Sequence, residues 1–272
     1  MKRRDFIRYA TPLVLLLANG GIMEAAGRGW RNRAKHGVKL RFAIASDGHY
    51  GEPKTDYEHF YATMVDSVNG EHAKDPFAFC MINGDIVHND KTLYPAARAY
   101  LNKLQMPYYV SQGNHDHVTP AEWKAIWNIP VNHDFSIGET SFLIATTSDE
   151  KGTYICPDLD WMQTKLKAFR NQQRVFIFLH INPAKQTVNA IDCPELFTML
   201  AKYKNVKAIF NGHDHDEAGI KVRNNIPFIF DAHFGGSWGT AYRGFRVVEL
   251  LNDGSVATYI MNPLEKINEA VL

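Results

Sequence analysis

Residues 42–49 read Phe-Ala-Ile-Ala-Ser-Asp-Gly-His. The run is apolar at each position up to Ser46 instead of alternating, the pattern of a strand covered on both faces, and it ends in a polar turn. The same design returns at 81–85 (Met-Ile-Asn-Gly-Asp), 110–116 (Val-Ser-Gln-Gly-Asn-His-Asp), 178–180 (Phe-Leu-His) and 209–215 (Ile-Phe-Asn-Gly-His-Asp-His). Working outward, strand-like runs are expected over 39–45, 77–82, 107–111, 141–146, 174–179, 206–210, 226–230, 245–250 and 256–261. Helical patterns fall over about 57–69, 93–104, 121–127, 159–171 and 195–204, with Pro120, Asp158 and Pro194 marking helix starts. Strands separated by helices over the first two thirds, then strands alone, predict an α/β chain of two packed sheets with helices outside.

At 272 residues, 45% hydrophobic and 22% charged, the chain has the composition of an ordinary globular protein with one sizeable core. Its charge is uneven. Residues 1–35 carry eight Lys/Arg against Asp5 and Glu24, so within a total of +1 the body from residue 36 onward is mildly acidic. That balance excludes a broad basic nucleic-acid surface while leaving room for a small phosphoester in a local site. Cys80 lies in an apolar run and reads as core. Cys156 and Cys193 each precede a proline, and either pair after export or are small buried hydrophobes.

The chain opens Met-Lys-Arg-Arg-Asp-Phe-Ile-Arg and runs into a short apolar stretch, 9–18, followed by small residues. Charge, a short apolar run and small side chains form the layout of an export signal, since a membrane-spanning helix needs ~20 apolar residues. Arg3 and Arg4 with Phe6 resemble the twin-arginine signal, although Lys2 stands where Ser or Thr is usual. The expectation is a signal and basic linker over 1–35, a domain over 36–272 and an exported, periplasmic or extracytoplasmic location. Membrane contact is expected only through this segment if it stays uncleaved. The sequence leaves the oligomeric state open.

Five strand ends point carboxylates, imidazoles and one amide at a common crevice, the edge of an α/β sheet where sites are assembled. Hard carboxylate oxygens and borderline imidazoles, without a thiolate, suit manganese, iron or zinc. Asp47 and His49, two apart at a turn, can reach one ion. An aspartate with two oxygens can bridge two ions ~3.5–4 Å apart, the separation used in two-metal hydrolysis. A histidine beside such ions can protonate a departing alkoxide.

The ordered set Asp-x-His, Gly-Asp, Gly-Asn-His-Asp, His and Gly-His-x-His over residues 47–215 resembles the calcineurin-like metallophosphoesterases. The resemblance implies a four-layer αββα sandwich of two mixed β-sheets flanked by helices. It implies two metal ions, with Asp47, His49 and His215 on the first, Asn114, His180 and His213 on the second, and Asp85 bridging. It further implies phosphoester hydrolysis by a metal-bridging hydroxide, with His115 as general acid and Asp116 orienting it. The alternative is a metal-stabilised binding protein of the same fold without turnover. His88 occupies the place where purple acid phosphatases carry tyrosine, so the likeness is to the compact phosphodiesterase and phosphohydrolase group, which includes cyclic-nucleotide phosphodiesterases. Tyr50, His88, Asn89, His117, His233, Trp238 and Arg243 are candidates for shaping a substrate pocket, with packing roles as the alternative.

Overall fold

A computed structural model describes residues 37–262, together with the backbones of three further strands at 14–16, 22–24 and 266–271. The rest of the expected signal and linker lies outside the described residues. The first sheet orders β2 (Ile22–Glu24), β1 (Val14–Leu16), β14 (Lys266–Val271), β13 (Val256–Met261), β12 (Phe245–Leu251), β3 (Val38–Ala45), β4 (Cys80–Asn83) and β5 (Tyr108–Ser111). The second orders β10 (Ile220–Arg223), β11 (Ile226–Phe230), β9 (Val206–Asn211), β8 (Arg174–Leu179), β7 (Thr140–Ala145) and β6 (His133–Ile137). Both are mixed: β3, β4 and β5 run parallel in one, β7, β8, β9 and β11 in the other, and antiparallel strands complete each.

Three apolar layers hold four layers of structure together. Phe42 and Ile44 of β3 point between the sheets and meet Phe79, Phe142, Phe176, Phe178 and Phe210. Phe42 stacks on Phe79 at 4.8 Å and meets Phe142 edge-on at 5.5 Å. Ala43 and Ala45, on the opposite face of the same strand, lie under α1 (Tyr57–Lys74), α2 (Tyr94–Leu101) and α3 (Pro120–Trp127), with Tyr61, Val65 and Trp123. The second sheet packs Leu143, Ile177 and Phe228 against α4 (Leu159–Ala168) and α5 (Pro194–Leu200). This is the expected αββα sandwich, and the continuous apolar strands follow from burial on both faces.

Three helices begin as the sequence suggests. Thr119 and Glu122 form a capping box with Pro120 in the first turn, Asp158 accepts from Trp161 N–H, and Pro194 opens α5. Helix α1 runs beyond the expected 57–69 to Lys74, and Arg41 reaches from β3 to the Glu71 and Asp75 carbonyls at its end. Edge strands β6 and β10 were not expected.

Candidate metal centre

The centre assembles where five strands leave the two sheets. Asp47, His49, Asp85 and His213 take left-handed backbone, with φ of 59°, 45°, 50° and 66°. Each such residue costs about 1–3 kcal/mol, so its surroundings must hold it there. Asp47 N–H donates to Gly84 O (3.1 Å), His49 N–H to Asp85 O (2.9 Å), and His213 N–H to both oxygens of Asp47 (3.0 Å each). Of the glycines before Asp85, Asn114 and His213, Gly84 takes left-handed backbone, at φ 85°. Gly113 and Gly212 matter for their size instead: a Cβ would stand 2.2 Å from Asp85 Oδ1 at Gly113 and 2.0 Å from Ser46 Oγ at Gly212.

Two ligand sets result. Asp47, His49 and His215 bring ligand atoms within 4.8 Å of one another, and so do Asp85, His180 and His213. Asp85 Oδ2 joins them, 3.6 Å from His49 Nε2 and 3.2 Å from His180 Nε2, while Asp85 Oδ1 accepts from His115 N–H (2.8 Å). His180 Nδ1 lies 2.7 Å from Asn83 O, and His215 Nδ1 lies 3.2 Å from Trp238 O. Donation to those carbonyls turns each Nε2 toward the centre, where it can ligate once it carries no proton, the arrangement that orients a metal-ligating imidazole. Asn114 Oδ1 and His213 Nε2 are buried and have no hydrogen-bond partner. Stranding such atoms is costly unless a cation completes them.

Electrostatics point the same way. Burial alone would raise the Asp47 and Asp85 carboxyls, but the neighbouring rings, His215 and His180 at Asp47 and His180 first at Asp85, hold both well below the carboxylate range. Burial alone would lower His180, yet Asp85 and Asp47 carry it up to about 10, and Asp47 likewise raises His215. Burial leaves His49 at about 3 and His213 at about 4, neutral at neutral pH. Two buried carboxylates that draw a proton onto His180 so strongly make a pocket selecting positive charge, and the O and N donors fit a pair of divalent ions.

His115 stands beside this centre, its ring 4.8 Å from that of His49 and stacked on His88 at 4.9 Å. Asp116 does not orient it. Asp116 is buried and spends its carboxylate on backbone, Oδ1 accepting from Ile86 and Val87 N–H (2.9 and 3.1 Å) and Oδ2 from Gly113 N–H (2.8 Å), so it ties two strand-end loops together. The partner of His115 Nδ1 is Asn89 Oδ1 at 2.8 Å, and Asn89 N–H donates to His115 O (2.9 Å). His88 Nδ1 meets His49 Nδ1 at 3.1 Å.

The other pocket candidates divide. Trp238 stacks on His215 at the mouth. His117 borders the loop carrying Gly152, where a Cβ would stand 2.8 Å from His117 Nε2. Tyr50 is buried among Tyr57, Tyr61 and Tyr100, and His233 is buried behind His215. Arg243 lies over Phe60 and donates to Gly236 O (2.6 Å), anchoring a loop. Tyr154, edge-on to His213 at 4.9 Å, escaped sequence reading because its loop carries no motif. Cys156 and Cys193 form a disulfide, while Cys80 is free and buried.

Fold and site together define a metallophosphoesterase. The calcineurin-like phosphoesterase family profile matches residues 40–217, and the chain belongs to that family of phosphoric ester hydrolases. It is 28% identical over 194 residues to a 3′,5′-cyclic-nucleotide phosphodiesterase of Nostoc sp., spanning 61% of this chain and 69% of the relative. It is 22% identical over 205 residues to a protein of Fibrobacter succinogenes named "probable cyclic nucleotide phosphodiesterase", spanning 70% of this chain and 78% of the relative. A dimetal phosphatase from Danio rerio shares the fold at a TM-score of 0.68 and 14% identity, covering 85% of this chain and 98% of that one.

Proposed function

We propose that this protein is an exported dimetal phosphodiesterase that opens cyclic nucleotides. The observation that carries the reading is Asp85, one of whose oxygens reaches both ligand sets. Asp47, His49 and His215 would hold one ion and Asn114, His180 and His213 the other, with Asp85 within reach of both sets. When bound, the metal pair supplies Lewis-acid activation of the attacking water and offsets charge on the phosphoryl oxygens. His115 faces the leaving oxygen and delivers a proton from Nε2, while Nδ1–H donation to Asn89 keeps the ring aimed. The names of the two relatives support a cyclic nucleotide as substrate. The disulfide between Cys156 and Cys193 supports an oxidising compartment, in keeping with the twin-arginine-like opening.

The test is hydrolysis of 3′,5′-cyclic AMP by manganese-loaded protein. EDTA should abolish turnover and manganese restore it, and Asp85→Ala or Asn114→Ala should each lower it at least about 100-fold, the upper end of what outer-shell changes cost a metal site. Turnover that survives chelation and both substitutions would sink the reading. His115→Ala should cost about 10²–10⁴-fold on alkyl leaving groups and far less on nitrophenyl esters, whose departure needs little protonation.

A further inference from the structure

The loop over the centre carries a side chain that metal binding does not explain. His215 is held between two rings, His233 behind it at 4.8 Å and 17° and Trp238 in front at 4.3 Å and 7°. The Trp238 carbonyl already orients His215 through Nδ1. Its indole is nevertheless 43% exposed, whereas His233 is buried.

This exposure is built in. Arg243 over Phe60 donates to Gly236 O (2.6 Å), Ser237 Oγ donates to Glu52 Oε1 (2.5 Å), and Thr240 N–H donates to His215 O (2.9 Å). The glycines let the loop close on the histidine: a Cβ at Gly239 would stand 2.3 Å from His215 Cβ, and one at Gly236 2.7 Å from His215 Cε1. Pinned on both sides, the segment presents the indole to solvent at the mouth instead of burying it. The ring centroid lies 4.8 Å from that of His49, 6.3 Å from His115 and 6.4 Å from His88. Trp238 therefore stands over His49 and His215, with His115, the acid proposed for the leaving group, at its flank. Tyr154, 40% exposed, stands against His213 of the other ligand set.

We propose that Trp238 is the platform on which the nucleobase of the substrate stacks, making it a determinant of specificity for phosphodiesters that carry an aromatic base. The inference rests on the phosphodiesterase reading above and deepens it. In a cyclic nucleotide the leaving oxygen and the base belong to the same ribose, so a base on the leaving-group side meets the exposed indole. Every base has a π-face, so the platform selects for the presence of a base and tolerates its identity.

The experiment is calorimetric titration of manganese-loaded wild type, Trp238→Ala and Trp238→Phe with AMP and with ribose 5-phosphate, manganese content being measured on each preparation. Trp238→Ala should weaken AMP roughly tenfold to hundredfold and leave ribose 5-phosphate unchanged, while Trp238→Phe retains most of the AMP affinity. Parallel weakening of both ligands, or AMP binding that ignores the substitution, overturns the proposal. Should Trp238→Ala shed manganese through its loss of contact with His215, the ratio of the two dissociation constants within each preparation still decides. Wild type that fails to hydrolyse cyclic AMP yet shows the expected ratio removes the phosphodiesterase reading and leaves the platform standing. Hydrolysis with an unchanged ratio removes the platform alone.

Discussion

At the scale of single residues, the ligand imidazoles differ in what a metal must do to them. His49 and His213 are neutral at pH 7, but His180, carried up to about 10 by Asp85 and Asp47 against its burial, holds a proton that metal must displace, and His215 is raised in the same sense. Metal and proton compete for these rings, so affinity falls as pH falls. Titration of metal-free protein with manganese at pH 7, in buffers of different ionisation enthalpy, should register proton release; no release would contradict the charge state given to His180. Asn89, and not Asp116, orients His115. Asn89→Ala should therefore lower kcat for cyclic AMP about tenfold through misdirected proton delivery while leaving nitrophenyl esters and KM nearly unchanged, a split that steady-state kinetics on the two substrates resolves.

At the scale of elements, the loop bearing Tyr154 is stapled by Cys156 to Cys193 at the start of α5, across a sequence separation of 37. Replacing both cysteines with serine should cost about 2–4 kcal/mol of stability, seen as a lowered thermal midpoint that reducing agent reproduces in wild type; an unchanged midpoint would contradict a structural role. The strands that aim ligands were legible because burial on both faces writes an uninterrupted apolar run, as in Phe42–Ala45. Edge strands β6 and β10 were not, because His133–Ile137 is largely half-exposed or exposed and Ile220–Arg223 is only four residues long. Arg41, thirty and more residues earlier in the chain, meets the carbonyls at the end of α1, and local pattern cannot show that contact. At the site, the motif residues were legible by type and order. The partner of His115 and the place of Tyr154 come from loops that meet only after folding.

At the scale of the whole molecule, two sheets packed through a phenylalanine-rich layer bring residues 47 and 215 into one centre. If the proposed twin-arginine route holds, changing Arg3 and Arg4 together to lysine should block export; fractionation showing unimpaired export would remove that route. In the proposed centre, side chains from five strand ends would grip two ions through a shared Asp85. Anomalous diffraction at the manganese edge from crystals grown with manganese would locate such ions. Two peaks per chain are expected ~3.5–4 Å apart, both at Asp85, one beside Asp47, His49 and His215 and the other beside Asn114, His180 and His213. A single peak, or ions bound away from Asp85, would contradict that centre.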